Sequence, residues 1–235
     1  MLSERLMAVA QMVTPGLKVA DIGCDHAYLP IYLVRENVSP YVIAADINSG
    51  PVAKARDNIR EAGLEGRIEV RQGDGLSVIE PGDAGSVVLA GMGGRLMMKI
   101  LSEGAAVLEE VYEIIMEPQS EVSELRHYLQ DNGYMIISED MVNDGDKFYP
   151  VIKAVPGKTD ENREVMFRYG KVLLREGNPV LHDFLLLERQ YCSNLLEELA
   201  ANIETPNVAA RMEELRTDLA LNEEALRLIA EPELS

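Results

Sequence analysis

Four aspartates lie in segments that could bind a positively charged ligand. Asp21 and Asp25 lie in the stretch DIGCDHAYLP. Asp46 lies in AADIN, and Asp74 lies between two glycines in QGDGL. DIGCDHAYLP reads like the glycine loop of a nucleotide-binding fold, although Asp25 and Ala27 occupy positions where such loops usually carry glycine. Either the loop is a poor copy of that motif, or these side chains take part in chemistry that glycine cannot.

The charge of these residues indicates the ligand. A dinucleotide-binding loop uses several glycines to pack a pyrophosphate against the backbone, whereas only Gly23 is present here and Asp25 would repel phosphate. S-adenosylmethionine carries a sulfonium and an ammonium group, which an acidic crevice attracts. The pattern therefore favours S-adenosylmethionine as cofactor and makes a dehydrogenase the least favoured class.

Each candidate residue has a role that its type allows. Gly23 permits a sharp turn and a close ligand approach. Asp46 could accept hydrogen bonds from ribose hydroxyls, and Asp74 could accept one from an adenine amino group. The glycines of AGMGG, residues 90–94, leave a rim without side chains for a flat base. A helix cap, a turn and a flexible loop are the structural alternatives, but the four segments occur in the expected order.

The elements around these segments alternate between strand and helix. Such alternation predicts an α/β fold with a doubly wound, mostly parallel sheet, whose ligands bind at the carboxyl ends of the strands. The last two strands follow each other directly and predict an antiparallel hairpin at one sheet edge. The predicted strands are Lys18–Ile22, Tyr41–Ala45, Arg67–Gln72, Ser86–Ala90, Glu113–Met116, Tyr134–Val142 and Phe148–Val155. The predicted helices are Leu2–Val13, Pro30–Glu36, Val52–Ala62, Arg95–Val107 and Ser120–Asn132.

The composition changes at Pro156-Gly157-Lys158, which predicts two domains, 1–157 and 158–235. The second has no strand pattern. It begins with a predicted helix Glu161–Arg175, and two further helices carry apolar residues at steps of three and four, with Asn222 as the one polar member. They predict an antiparallel coiled-coil hairpin that stabilises the fold, dimerises or grips a substrate. The series is Val180, Phe184, Leu187, Tyr191, Leu195 and Leu199, then Val208, Met212, Leu215, Leu219, Asn222, Leu226 and Ile229.

The net charge of −18 argues against broad nonspecific binding of nucleic acid. Local basic patches remain compatible with it. Arg95 and Lys99 follow the AGMGG loop and would lie near the crevice. A second candidate face consists of Arg163, Arg168, Lys171 and Arg175 on one predicted helix.

The sequence shows neither a secretory signal nor an apolar run long enough to span a membrane. Cys24 and Cys192 lie far apart, so they indicate no zinc site and a weak disulfide framework. We therefore expect a cytoplasmic protein without a metal, either a monomer or a weak dimer.

Six segments together resemble one known family: DIGCDHAYLPI, AADIN, QGDGL, AGMGG, MEPQ and DKFYPVI. They are similar to the TrmK family, bacterial tRNA methyltransferases that modify N1 of adenine 22 in the D-arm. The resemblance extends over the whole chain. It implies a Rossmann-like class I methyltransferase fold with a C-terminal helical coiled-coil domain, S-adenosylmethionine as cofactor and tRNA as substrate.

The resemblance also implies which residues form the site. Asp25, His26 and Tyr28 would lie between cofactor and base as catalytic residues. Arg95 and Lys99 are the candidate RNA contacts by their position after the AGMGG loop, not by the resemblance. The predicted cofactor site consists of Asp21, Gly23, Cys24, Asp46, Ile47, Asp74, Gly75, Gly91 and Met92.

The chemistry assigns a role to Asp25. Adenine N1 carries a lone pair, so no base is needed to start, and the methylated base becomes cationic. A carboxylate beside the base would stabilise that charge and could accept a hydrogen bond from the exocyclic amine. His26 either holds this carboxylate, acts on the base edge or caps a helix. The alternatives are a methyltransferase for another RNA, a protein or a small molecule, and a non-catalytic dimer that binds the cofactor.

Overall fold

The computed structural model describes residues 2–145, 147–200 and 206–230. The chain divides into two compact units, Met1–Asp160 and Glu161–Ser235. The predicted boundary after Gly157 lies three residues before this division. The functional assignment of the two domains stays a prediction.

The first unit is built around a seven-stranded sheet in the order β3-β2-β1-β4-β5-β7-β6. The first five strands are parallel, and β7 pairs antiparallel with both β5 and β6. The predicted α/β class with an antiparallel edge hairpin is therefore confirmed. The strands are β1 Val19–Ile22, β2 Val42–Asp46, β3 Ile68–Gln72, β4 Ser86–Met92, β5 Glu113–Pro118, β6 Tyr134–Asp144 and β7 Lys147–Pro156.

Helices cover both faces of this sheet. They are α1 Glu4–Met12, α2 Tyr28–Arg35, α3 Ser49–Ala62, α4 Gly94–Glu103, α5 Ala105–Leu108 and α6 Val122–Asp131, with a short 3-10 helix at Gly75–Val78. Helix α2 begins two residues before the predicted start because Pro30 fits the first turn, where its missing N–H costs nothing. The predicted helix Arg95–Val107 is wrong as one element, because Gly104 separates α4 from α5.

Side chains alternate between the two faces of each central strand and form two cores. Ala20 and Leu89 belong to the core that also contains residues of α4 and α6. Val19 and Val88 belong to the other core, with residues of α1, α2 and α3. Because the period along a strand is two residues, Asp21 faces the same side as Val19, beneath α1 and α2.

The strand register places the candidate segments along one sheet edge. Ile22 pairs with Ala45 of β2 and with Leu89 of β4, and Asp46 pairs with Gln72 of β3. The residues that follow these positions therefore leave the sheet side by side. This edge is the one at which open α/β sheets bind ligands.

The second unit is helical and consists of α7 Glu164–Tyr169, α8 Lys171–Arg175, α9 Pro179–Ala200 and α10 Pro206–Ala230. The predicted single helix Glu161–Arg175 is wrong, because Gly170 has φ +99° and separates α7 from α8. Of the predicted break at 204–207, Glu204 and Thr205 lie outside the described residues, and Pro206 and Asn207 begin α10.

Helix α9 packs on α10 through a different face from the predicted one. Its buried residues include Leu181, Leu185 and Cys192, whereas Leu187 and Tyr191 are 60% and 63% exposed. The prediction of these last two as seam residues is wrong. Asn222 is buried as expected, and its Nδ2 donates to the Leu185 carbonyl and to Glu188 Oε2, both at 2.9 Å. A coiled-coil geometry stays a prediction.

Candidate active site

A cavity of about 250 Å³ lies at the carboxyl ends of β1 and β4. It brings together seven predicted site residues: one from β1, four from the loop after it, one from the start of α2 and one glycine from the end of β4. The lining residues are Arg5, Leu6, Asp21, Gly23, Cys24, Asp25, His26, Tyr28, Leu29, Ala90, Gly91 and Gln119.

The loop after β1 has the backbone conformation of a glycine loop, although two of its positive-φ positions carry side chains. Asp25 has φ +49° and Ala27 has φ +59°, both in the left-handed region that usually costs an L-residue roughly 1–2 kcal/mol. The N–H of Ala27 donates to the Cys24 carbonyl at 2.8 Å and closes the turn. The Asp25 side chain is 70% exposed, so its carboxylate is free to meet a ligand. The loop therefore retains strained side chains at positions where glycine would be easier.

Asp21 is the most perturbed acid in the cavity. It is buried, and among the described residues it forms no ion pair. Burial first, and the nearby Asp46 carboxylate second, raise the pKa of Asp21 from 3.8 to about 7. A carboxylate in this state favours a cation or a proton as its neighbour.

Asp46 ends β2 and connects two loops. Its Oδ1 accepts the N–H of Asn48 at 2.9 Å, and its Oδ2 accepts the N–H of Asp25 at 3.3 Å. Its carbonyl accepts the N–H of Gly73 at 3.0 Å, which ties the end of β3 to the same place. Asp46 is therefore held at the sheet edge by backbone N–H groups from three separate segments.

The other predicted cofactor residues lie outside the cavity lining but along the same sheet edge. Asp74 precedes the 3-10 helix, and its Oδ2 lies 3.9 Å from Lys99 Nζ. Gly75 has φ +54°, and Ile47 is exposed. A Cβ added to Gly23 would lie 3.0 Å from Met92 Cε, so this glycine allows the two loops to approach closely.

His26 and Tyr28 form one wall of the cavity. His26 Nε2 lies 3.5 Å from Asp25 Oδ1, and the rings of His26 and Tyr28 meet edge to face with centroids 5.7 Å apart. The carbonyl of His26 accepts Asn58 Nδ2 at 2.9 Å. The residue preceding α2 is Ala27, so His26 is not its N-cap, and its position is compatible with holding the Asp25 carboxylate.

Sequence reasoning missed Arg5 and Glu117. Arg5 Nη1 donates to Glu117 Oε2 at 2.6 Å, and the N–H of Gly91 donates to the same oxygen at 2.8 Å. The guanidinium of Arg5 also lies 5.3 Å from the ring centre of Tyr149. Glu117 is fully buried, its Oε1 has no hydrogen-bond partner, and burial raises its pKa. The acidic residue in MEPQ, directly after a buried strand, was the available signal, whereas an isolated arginine in α1 gave none.

The predicted RNA-contacting residues lie on α4, outside the cavity lining. Arg95 is 82% exposed, with its Nε 3.8 Å from Glu121 Oε1. Lys99 is exposed and lies 3.9 Å from both Asp74 and Glu103. These long ion pairs leave both cations accessible to a phosphate.

The second predicted basic face is largely neutralised. Arg163 and Lys171 both pair with Glu161, at 3.6 and 2.9 Å. Arg168 pairs with Glu188 at 3.2 Å and with Asp218 at 3.1 Å. Three of the four members of this candidate face are therefore engaged in ion pairs with carboxylates of the same unit.

Residues 2–145, 147–200 and 206–230 contain no cluster of His, Cys, Asp and Glu side chains that could hold a metal ion. In those same ranges, no helix has the length and apolar character needed to cross a bilayer. Cys24 and Cys192 are both buried free thiols, and burial raises the pKa of each.

Comparison with known proteins gives one consistent result. The family model described as TrmK: tRNA (adenine(22)-N(1))-methyltransferase matches residues 19–224. The chain is 33% identical to the tRNA (adenine(22)-N(1))-methyltransferase of Bacillus subtilis (strain 168) over 230 residues, which cover 96% of this chain and 97% of that protein.

Two solved structures extend the similarity to the fold. Sp1610 of Streptococcus pneumoniae in complex with S-adenosyl-L-methionine has a TM-score of 0.86 at 32% identity, over 96% of this chain and 100% of that chain. TrmK of M. capricolum in complex with S-adenosyl-homocysteine has a TM-score of 0.83 at 26% identity, over 97% and 99%. The predicted family, enzyme class and cofactor are confirmed. The chain belongs to the TrmK family of tRNA (adenine(22)-N(1))-methyltransferases, whose methyl donor is S-adenosylmethionine.

Proposed function

We propose that this chain methylates N1 of adenine 22 in tRNA, with the acceptor base entering the 250 Å³ cavity beside Asp25. The observation that carries the proposal is the buried, unpaired Asp21 at the centre of the sheet edge, with Asp46 beside it. A negative site of this kind suits a cationic methyl donor and a base that becomes cationic when methylated.

The residues present fit S-adenosylmethionine. Asp21 would face its positively charged methionine end, while Gly23 and Gly91, both at positive φ, allow close contact with backbone. Asp46 would accept hydrogen bonds from the ribose, and Asp74 one from the adenine amino group; Cys24, Ile47, Gly75 and Met92 border these contacts. When bound, S-adenosylmethionine supplies an electrophilic methyl group.

Asp25 acts on the acceptor base. Its exposed carboxylate can accept a hydrogen bond from the exocyclic amine and so orient N1. The loop that carries it is fixed by hydrogen bonds at Asp46 and Cys24. The same negative charge stabilises the positive charge that develops on the base. His26, 3.5 Å from Asp25 Oδ1, holds that carboxylate in position.

Tyr28 receives the base after it leaves the tRNA stack. Enzymes that modify a base commonly extrude it and hold it against aromatic side chains. The Tyr28 ring is exposed and borders the cavity, so a base beside Asp25 can stack on it. Arg95 and Lys99, exposed on α4, hold the phosphates of the same RNA.

The assembly follows from the available apolar surface. The exposed large apolar residues in the described part of α9, Leu186, Leu187 and Tyr191, offer a small surface, which suits a monomer or a weak dimer. Because the proposed substrate is tRNA, we expect the reaction to take place in the cytoplasm. The helical unit adds few free cations, so it serves stability more than phosphate binding.

The activity has a direct test. The protein is incubated with bulk tRNA and S-adenosylmethionine labelled on the methyl group, and the modified nucleoside is mapped. We expect N1-methyladenosine at position 22 and no label in a transcript with guanosine there. The Tyr112→Ala variant, which changes an exposed ring at the opposite end of β5, serves as a control and should match the wild type. Label in another nucleoside or at another position would contradict the proposal.

Asp25→Asn should lower kcat roughly 100-fold with the affinity for S-adenosylmethionine unchanged, because the charge that stabilises the methylated base is lost. Steady-state kinetics and calorimetry measure the two quantities. Asp25→Gly is the matched variant, and its kcat should be as low as that of Asp25→Asn. It should be at least as stable as the wild type, because glycine adopts positive φ without cost. Full turnover by either variant would remove Asp25 from the reaction.

Asp46→Asn should instead weaken S-adenosylmethionine binding about 10-fold or more, because hydrogen bonds to a charged acceptor are replaced by neutral ones. At saturating cofactor, kcat should stay within about threefold of the wild type. Calorimetric titration with S-adenosylmethionine is the measurement. An unchanged dissociation constant would exclude Asp46 from the cofactor site.

Asp21 makes stability depend on pH. Its folded pKa of about 7 exceeds the unfolded value of 3.8, so the folded chain retains a proton that the unfolded chain releases. Its contribution to the free energy of unfolding is thus fully present below about pH 4 and is lost as the pH rises to about 7. The loss amounts to at most about 4 kcal/mol.

Asp21→Asn should therefore raise the free energy of unfolding at pH 8 relative to the wild type, and raise it less at pH 5. Urea denaturation at the two pH values measures this difference. The wild type alone should bind S-adenosylmethionine more tightly as the pH rises from 6 to 8, because Asp21 becomes charged. A stability difference that does not change with pH would refute this account of Asp21.

A further inference from the structure

A second cavity, of about 210 Å³, lies along α2. It is lined by Leu2, Tyr28, Ile31, Tyr32, Arg35 and Glu36. Tyr28 also lines the candidate active site, so the two cavities share one aromatic wall. We propose that this second cavity binds the nucleotide adjacent to the target adenine, an inference that rests on the proposed function.

The helix presents the lining residues in a row. Tyr28, Ile31, Tyr32 and Arg35 are spaced by three and four residues, which places them on one face of α2. From Tyr28 to Arg35 this face extends about 10 Å along the helix axis. An RNA strand whose target base enters the active site beside Tyr28 would therefore continue past Tyr32 towards Arg35.

The side chains offer what a nucleotide needs. Two tyrosine rings and Ile31 form a platform on which a base of any sequence can stack. Arg35 is exposed and forms no ion pair with the described residues, so its guanidinium is available to a phosphate. Glu36 is also exposed and can accept a hydrogen bond from a base amine, although its charge opposes a nearby phosphate.

The cavity also meets a need that base extrusion creates. When the target adenine leaves the stack, the adjacent base loses a stacking partner on one face, and unstacking costs a few kcal/mol per base. A tyrosine ring on that face replaces the lost contact. Tyr28 can thus contact the target base, while Tyr32 contacts its neighbour.

The experiment measures KM for tRNA at saturating S-adenosylmethionine, with the wild type and three variants. Tyr32→Ala should raise KM about fivefold or more, because base stacking is lost, whereas Tyr32→Phe should remain within twofold because the ring is retained. Arg35→Gln should raise KM with little change in kcat. The dissociation constant for S-adenosylmethionine should be the same in all four proteins. Tyr112→Ala and Lys18→Gln are the matched controls at the opposite sheet edge and should behave as the wild type.

A second substrate makes the test independent of folding. Two tRNA transcripts carry an abasic residue immediately 5′ or 3′ of adenine 22. With one of these transcripts, the KM of the wild type should be higher than with unmodified tRNA. The KM of Tyr32→Ala should be the same with that transcript as with unmodified tRNA, because the variant already lacks the contact that the abasic residue removes. Methylation with unchanged KM for both abasic transcripts and for Tyr32→Ala would overturn the subsite and leave the proposed function intact. Additive losses would show that Tyr32 contacts another group, and no methylation by the wild type would refute the function and the subsite together.

Discussion

The structure depends on a carboxylate that is buried before its counter-charge arrives. Asp21 lies in the middle of a parallel sheet, where desolvation penalises its negative form and Asp46 adds repulsion. Natural cores seldom retain such a group without a partner, because an unpaired buried charge is costly. The cost is understandable if the partner is a ligand, since the same uncompensated field that destabilises the free protein attracts a cationic methyl donor.

The loops around Asp21 are held by backbone constraints as much as by side chains. Asp25 and Ala27 keep positive φ, and the hydrogen bonds of Asp46 and Cys24 maintain this strain. At the start of α4, a Cβ on Gly94 would lie 2.7 Å from the carbonyl oxygens of Ser120 and Glu121, which are backbone atoms and cannot easily move. The backbone of the loop after β1 is therefore held in place without a ligand, which suits a reaction that needs alignment more than proton transfer.

Sequence patterns predicted which residues lie at this sheet edge because each of its segments can be recognised from nearby residues in the chain. Strand–helix alternation indicates which strand ends meet, and each aspartate lies at the end of a strand or in the loop that follows it. Arg5 and Glu117 escaped prediction because they pair across 112 positions and only the folded sheet brings them together. The face of α9 was misassigned because Leu185, Leu186 and Leu187 are consecutive, so a helical period fits either side. Likewise, Arg168 reads as free until tertiary packing places Glu188 and Asp218 against it.

A protein of net charge −18 that acts on tRNA must confine its attraction for phosphate to a few sites. The ion pairs of Arg168 and Lys171 remove positive charge from the helical unit, whereas Arg35 and Arg95 remain accessible on the sheet-bearing unit. General attraction to nucleic acid is thus weak, and productive binding requires contacts that an extruded base and its neighbour can make. In the proposed arrangement, stacking in the tyrosine-lined cavities adds affinity for a correctly extruded base, because the phosphate contacts are few and carry no sequence information.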